Sequence, residues 1–449
     1  MAETVFFCTS CGNESGKWLG QCPGCGEWNS YTEQPTATRS KARPAARRGA
    51  SPMPVAEAVA TVTARVASGM EGLDRVLGGG LVPGSLVLVA GEPGVGKSTL
   101  LLQVAASLAG RGETVVYVTA EESAEQVAVR AQRIGQAPER LLLFPETSCE
   151  AAVQRLAELA PALVIVDSVQ AMVVEEADGI AGSVGQVRQV AAAFQLLAKT
   201  RGVPVVLVGH VTKEGSIAGP KLLEHLVDVV LALEGEPDHD LRVLRAGKNR
   251  FGTVAELALY SMTDVGMEGV RNPSAWLLED RQAGSAGSVV AVAMEGTAPL
   301  LVEVQALVAP SSLGSPRRVA QGLDGSRLAL LVAVLERRTG LRFADQDVFV
   351  NLVGGLRLRE PALDLAVAAA LVSSSADRPV PADLAVFGEV GLLGEVRAVS
   401  RTSERVREAA ALGFERVALA ARSAGANLEL PTVPITNVSD LVELLARRG

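Results

Sequence analysis

Short apolar runs recur through the middle of the chain, at residues 86–90, 114–119, 141–144, 163–166, 205–208 and 229–233. Unbroken runs of this length, with no polar residue on alternate positions, read as strands buried on both faces. Between several of them lie segments of helical period, at 100–108, 124–134 and 184–200. That alternation predicts an α/β domain whose mostly parallel sheet is covered by helices on both sides. Ligand chemistry in such a sheet gathers beyond the carboxyl ends of the strands. The polar residues that close the apolar runs are therefore the candidates.

The pattern differs at both ends of the chain. Residues 1–33 hold few apolar residues and four of the five cysteines, and residues 34–50 turn to Pro, Ala, Thr and Arg with no acid. This reads as a small metal-stabilised domain (1–33) followed by a flexible basic linker (34–58), whose five positive charges at 39, 41, 43, 47 and 48 suit phosphates. A helix over 69–77, closed by three glycines and a proline turn, opens the central domain (59–270). Beyond residue 285 a further α/β pattern runs to 449, with helical segments at 327–338, 362–373 and 404–412 and strands near 348–352, 385–387 and 417–419.

With 48% apolar and 20% charged residues the chain can bury sizeable cores. Its net charge of −8 excludes a uniformly basic nucleic-acid coat, though not positive charge concentrated in a patch or inside a ring. The longest uncharged stretch, 76–91, is interrupted by glycines and a proline, so no membrane helix is expected. Glu3 and Cys8 stand where a signal peptide would be basic and then apolar, which points to the cytoplasm.

The nine residues that follow the run at 86–90 read GEPGVGKST: Gly91, Glu92, Pro93, Gly94, Val95, Gly96, Lys97, Ser98 and Thr99. Strand, glycine-rich loop and helix together make a phosphate-binding loop. The glycines let successive N–H groups turn inward on a phosphate, and the helix that follows adds the positive end of its dipole. Lys97 is placed to reach the β- and γ-phosphates of ATP, Ser98 to hold Mg²⁺, and Thr99 to touch the α-phosphate. Asp167 closes the run LVIVD seventy residues after Lys97 and is a second candidate for the Mg²⁺ shell. Glu121, in YVTAEES, can orient or deprotonate the attacking water, with Glu122 as its rival. His210 ends VVLVGH, where it can contact the γ-phosphate. Two glycine-containing loops, 175–185 and 212–221, lie beyond the same strand ends and suit substrate contact.

Cys8-x2-Cys11 and Cys22-x2-Cys25, ten residues apart and each followed by glycine, have the spacing of two knuckles closing a tetrahedral zinc site rather than a redox pair. Four thiolates leave no open coordination position, so the zinc is expected to be structural. Trp18 and Trp28 are expected to pack on this ribbon. Cys149, at a predicted helix start, reads as a small buried residue.

These motifs together resemble the RecA-type core ATPases. The likeness narrows at Lys248-Asn249-Arg250-Phe251-Gly252: a KNRFG segment after a phosphate-loop core, with a four-cysteine ribbon in front, resembles the RadA (Sms) family of bacterial DNA repair ATPases. By that resemblance the chain would form a homo-hexameric ring whose ATPase is stimulated by DNA. It would act on single-stranded and branched DNA in recombination intermediates, promoting branch migration with the RecA recombinase. The loops at 175–185 and 212–221 would face DNA in the channel, and Lys248 and Arg250 would reach a neighbouring subunit's nucleotide. The C-terminal part resembles the proteolytic domain of Lon, with Asp364 where the nucleophilic serine would stand and Ser403 where the lysine would stand. Neither can replace its counterpart in acyl transfer, so a fold without protease activity is expected. An ATP-dependent protease and a switch ATPase of the circadian-clock type are the alternative readings.

Overall fold

The computed structural model describes residues 4–8, 14–24, 26–35, 65–135, 137–210, 221–235, 240–311, 315–425 and 427–446. Cys11, Cys25, the linker from 36 to 58 and the loop from 212 to 220 lie outside the described residues. The chain divides into two compact units, the first reaching Gly269 and the second comprising Val270–Gly449 with a short excursion at 238–241.

In the first unit the N-terminal segment forms three antiparallel strands, β1 (Thr4–Cys8), β2 (Glu14–Ser15) and β3 (Tyr31–Pro35), in the order β2-β1-β3. Among the described residues its core is Cys8, Cys22 and Tyr31 with Phe6 and Leu19 against them, a small one to hold a fold unaided. Trp18 and Trp28, 51% and 68% exposed, lie on the outside of the ribbon with their rings against Gly20, where a Cβ would come within 3.9 Å of both, and the indole N–H of Trp18 donates to the Tyr31 carbonyl at 3.2 Å.

The helix predicted ahead of the phosphate loop is α1 (Glu71–Leu77), capped by Gly78 in the left-handed conformation (φ 82°). Strand β4 (Leu86–Gly91) then enters the centre of a nine-stranded sheet and runs into α2 (Lys97–Gly110). In chain order follow β5 (Val115–Thr119), α3 (Ala124–Arg133), β6 (Leu141–Pro145), α4 (Cys149–Leu159), β7 (Leu163–Asp167), α5 (Val184–Arg201), β8 (Val205–His210), α6 (Lys221–Leu226) and β9 (Val229–Glu234). The six strands β9-β4-β8-β7-β5-β6 are parallel. Along β4 the residues alternate between two cores: Val87 and Val89 pack with α1, α2 and α3, while Leu86, Leu88 and Ala90 pack with α4, α5 and α6. Both faces are therefore buried, which is why these strands read as unbroken apolar runs. Cys149 is 1% exposed and burial pushes its thiol up to about 12, as suits a packing residue.

Three antiparallel strands, β10 (Leu241–Asn249), β11 (Leu257–Thr263) and β12 (Gly266–Gly269), extend the sheet beyond β9. They were not among the predicted elements. Arg242, Arg245 and Lys248 break the apolar sequence of β10, and β11 carries only the four-residue apolar run Leu257 to Tyr260, so neither gives the signal of a longer continuous run.

The second unit begins with α7 (Pro273–Leu277) and the long hairpin β13 (Ser288–Glu295) and β14 (Ala298–Pro310). There follow β15 (Arg318–Gln321), α8 (Gly325–Thr339), β16 (Gln346–Leu352), α9 (Asp364–Ala376), β17 (Leu384–Val386), the small hairpin β18 (Glu389–Val390) and β19 (Val396–Arg397), α10 (Thr402–Ala411), β20 (Arg416–Ala420), β21 (Thr432–Ile435) and α11 (Ser439–Ala446). Seven strands form one sheet, β15-β16-β14-β13-β17-β20-β21. Helix α9 is buried from Asp364 to Ser373. Asp364 tolerates this position because Arg327 of α8 clamps both carboxylate oxygens, with Nε at 2.9 Å from Oδ1, and the Val390 N–H donates to Oδ2 at 3.1 Å. Glu360 likewise pairs with Arg405, which is wholly buried. Ser403 sits exposed in the first turn of α10. Asp364 is thus a packing anchor held by its own arginine, with nothing in the arrangement of a nucleophile beside its base.

Among the described residues no helix is long and apolar enough to cross a membrane.

Candidate functional site

The parallel strands β4, β5, β7 and β8 end side by side, and their registers place Gly91 opposite His210 and Thr119 opposite Asp167. The polar residues that close four separate apolar runs are in this way brought to one edge of the sheet.

The phosphate loop joins β4 to α2 with Gly94 at φ 79° and Gly96 at φ 109°, conformations a side chain disfavours. Gly91 is excluded from carrying a side chain for another reason: a Cβ there would lie 2.4 Å from the Leu233 carbonyl oxygen of β9. Lys97 opens α2 and is 4% exposed. Its ammonium donates to the carbonyls of Gly91 and Glu92, both at 2.9 Å. Burial lowers its pKa, and the carboxylates of Asp167 and Glu121 act against that shift by favouring the charged form. A cation enclosed in its own loop, with no carboxylate bonded to it, is ready for an anionic guest.

Asp167 is 8% exposed and accepts a hydrogen bond from the Tyr117 hydroxyl at 2.5 Å. Burial first, and then Asp167, push the Tyr117 pKa well above its ordinary value, so the phenol keeps its proton and donates. The carboxylate it holds is an oxygen ligand of the kind Mg²⁺ takes. The sequence offered no sign of Tyr117, which reads as one more large residue in a buried strand.

The two adjacent glutamates have different surroundings. Glu122 is bound to Arg130 of α3 at 2.6 Å. Glu121 accepts from the Ser168 hydroxyl at 3.0 Å and lies 3.2 Å from His210 Nε2, with its side chain about half exposed. Burial raises the Glu121 pKa, but hydrogen bonds from His210 and Ser168 outweigh it and the net shift is downward. It is accordingly ionised and open to solvent beside Lys97, whereas the Glu122 carboxylate is already paired. Glu121→Gln is expected to leave nucleotide bound while slowing hydrolysis on the order of 10²-fold or more. Glu122→Gln is expected to affect turnover far less; single-turnover assays on both variants decide the assignment.

The antiparallel extension supports the loop from its other side. Arg242 of β10 is 5% exposed and its Nε donates to the Val95 carbonyl at 3.0 Å. The methyl groups of Met262 and Met267 pack so close to Gly96 that a Cβ there would sit 2.6 and 2.2 Å from them. None of these three was legible as a site residue, because each belongs to a strand distant in sequence.

The KNRFG segment is placed elsewhere. Asn249 pairs with Val229, and Val229 pairs with Val87, so the end of β10 is level with the start of β4 and not with the loop that follows it. Lys248 donates to the carbonyls of Glu224 (2.5 Å) and Val227 (2.8 Å) at the end of α6. Asn249 donates to the carbonyls of Val76 and Leu77 at the end of α1. Arg250 is half exposed and pairs at 3.0 Å with the buried Asp228. Of the two cations, Arg250 is the more exposed.

In the ribbon, Cys8 and Cys22 are each 1% exposed. The Gly24 N–H donates to Cys22 Sγ at 3.4 Å and the Tyr31 hydroxyl to the same sulfur at 3.7 Å, while the Cys8 thiol donates to the Ser30 hydroxyl at 3.1 Å. The donors turned toward the Cys22 sulfur suit a thiolate, the form that binds a metal.

Two arginines near the start of β15 are engaged within the second unit. Arg317 grips Asp347 through Nε and Nη2, at 3.1 and 2.8 Å, and Arg318 donates to the Phe343 and Gln346 carbonyls.

Comparison with known proteins bears on the whole chain. Residues 6–33 match the family model of a rubredoxin metal binding domain, residues 52–216 that of an AAA domain, and residues 327–423 that of subunit ChlI of Mg-chelatase. The DNA repair protein RadA of Halalkalibacterium halodurans is 48% identical over 447 residues, which cover 99% of this chain and 98% of that protein. The protein of the same name from Bacillus subtilis is 47% identical over 457 residues, 99% of each chain. Among solved structures, the RadB recombinase is 28% identical over 46% of this chain and 99% of its own, with a TM-score of 0.37.

Proposed function

The chain belongs to the RadA family of DNA repair proteins, and from that premise we propose that it is a DNA-stimulated ATPase, a ring-shaped motor that processes recombination intermediates. The observation that supports ATP hydrolysis most directly is the convergence of Lys97, Asp167 and Glu121 at the ends of adjacent parallel strands. Lys97 and the loop N–H groups would hold the phosphates, Ser98 and Asp167 would hold Mg²⁺, and Glu121 would take the proton of the attacking water. Mg²⁺, when bound, would screen the phosphate charge. His210, in contact with Glu121, is placed to register whether a γ-phosphate is present.

The DNA substrate is proposed from the family. Single-stranded and branched DNA would thread a homo-hexameric ring, and hydrolysis would drive branch migration during strand exchange by the RecA recombinase in the cytoplasm. The net charge of −8 is compatible with this, since only the channel needs to be positive. Loop 175–185 lies in the connection from Asp167 to α5 and runs into the first residues of that helix, a position from which contact with DNA would be felt at the Mg²⁺ side of the site. The deciding measurement is ATP turnover with and without single-stranded DNA. Turnover that DNA leaves unchanged favours a switch ATPase, and degradation of casein would restore the protease reading.

The ribbon is proposed to bind one zinc ion through Cys8, Cys11, Cys22 and Cys25. Chelation, or Cys22→Ser, is expected to unfold residues 4–35 and leave the melting of the ATPase unit unchanged. Indole N–H signals of Trp18 and Trp28 that persist unshifted after chelation would rule out a metal-dependent fold.

A further inference from the structure

We infer that Tyr117 is a positioning residue for the metal at this site, fixing the Asp167 carboxylate of the Mg²⁺ cradle. The inference rests on the proposed ATPase reading. Asp167 closes β7, and Tyr117 sits on the adjacent β5. Its hydroxyl donates to Asp167 Oδ2 at 2.5 Å.

The strand sequence explains why a tyrosine is needed. The neighbours of Tyr117 on β5, Val116 and Val118, face the other core, whereas Tyr117 points to the face that holds α2. From there its ring lies in the apolar core, 1% exposed, and only its oxygen reaches the polar edge. A phenylalanine would keep the packing and delete that oxygen. A buried Asp167 without its donor would be free to rotate. Metal ligands oriented by such outer partners bind more tightly than unsupported ones, typically by about 10- to 100-fold.

The arrangement also distinguishes support from catalysis. Tyr117 is not placed to touch phosphate, since its hydroxyl hydrogen is already given to Asp167. Its loss should weaken metal binding while leaving the phosphate contacts of Lys97 and the loop intact.

The test is Tyr117→Phe in the full-length chain, with Mn²⁺ as the probe. Binding of fluorescent ADP in EDTA reports the loop without metal and is expected to be unchanged. Mn²⁺ affinity of the ADP complex, measured by electron paramagnetic resonance, is expected to fall on the order of 10-fold. The Mg²⁺ concentration for half-maximal turnover should rise in proportion, with kcat at saturating Mg²⁺ within about twofold of the wild type. In the wild type, adding Mg²⁺ to the ADP complex should perturb the near-ultraviolet tyrosine spectrum, and Tyr117→Phe should remove that change. Unaltered Mn²⁺ affinity, or a wild-type tyrosine spectrum indifferent to Mg²⁺, overturns the inference. Failure of the wild type itself to bind ADP overturns the ATPase reading instead.

Discussion

Lys97→Ala is expected to abolish ATP turnover, with or without DNA, by a factor on the order of 10³ or more, about 4 kcal/mol in the barrier. The ammonium is held 2.9 Å from two loop carbonyls and is almost wholly buried, so no other cation can take its place and water cannot substitute for its charge. Charge that develops on the γ-phosphate would then face a dry loop with one donor fewer. The fold should survive, because Leu100, Leu101 and Val104 anchor α2 in the core independently of Lys97. Phosphate release at saturating single-stranded DNA is the measurement, with a thermal melt as the control for folding. DNA-stimulated hydrolysis that persists in this variant places the catalytic site elsewhere in the chain.

How far the sequence could be read depended on whether a residue's neighbours were local. Gly91 to Thr99 form one loop, so spacing alone predicted the strand, turn and helix around them. Asp167, Glu121 and His210 were legible because each ends a doubly buried strand, and parallel packing brings such ends together. Tyr117, Arg242, Met262 and Met267 were not. Their roles arise from which strand lies beside which, and a tyrosine in an apolar run or a methionine in an antiparallel hairpin carries no mark of a distant partner. The same limit concealed the choice between Glu121 and Glu122, whose different surroundings depend on Arg130 of α3 and on Ser168 and His210 at two other strand ends. In the C-terminal unit the helices were legible from their period. The β13–β14 hairpin was passed over although both strands are largely apolar, since two such runs separated by Gly296-Thr297 do not reveal their pairing.

The largest remaining effect is expected at Arg250, and its argument is topological. Asn249 lies level with Val87, and β10 runs antiparallel to β9, so the chain at Arg250 is moving away from the phosphate loop. From Val87 to Gly91 is four residues, about 13 Å of strand at roughly 3.3 Å per residue, before the loop even begins. Arg250 is therefore set against reaching its own nucleotide, while its half-exposed guanidinium is free to meet a second subunit once it leaves Asp228. A head-to-tail ring offers that meeting at every interface. An arginine supplied in trans typically raises phosphoryl transfer by about 10³-fold or more, so Arg250→Ala should be nearly inactive alone, as should Lys97→Ala. Mixed together, they should recover activity, because about a quarter of randomly assembled interfaces join the intact loop of an Arg250→Ala subunit to the intact finger of a Lys97→Ala subunit. The alternative is that Arg250 only neutralises the buried Asp228. In that case Arg250→Ala should melt earlier, and mixing should restore nothing. Subunit exchange shown by fluorescence transfer between labelled chains, with no recovered turnover, removes the trans mechanism and leaves the arginine a structural partner of Asp228.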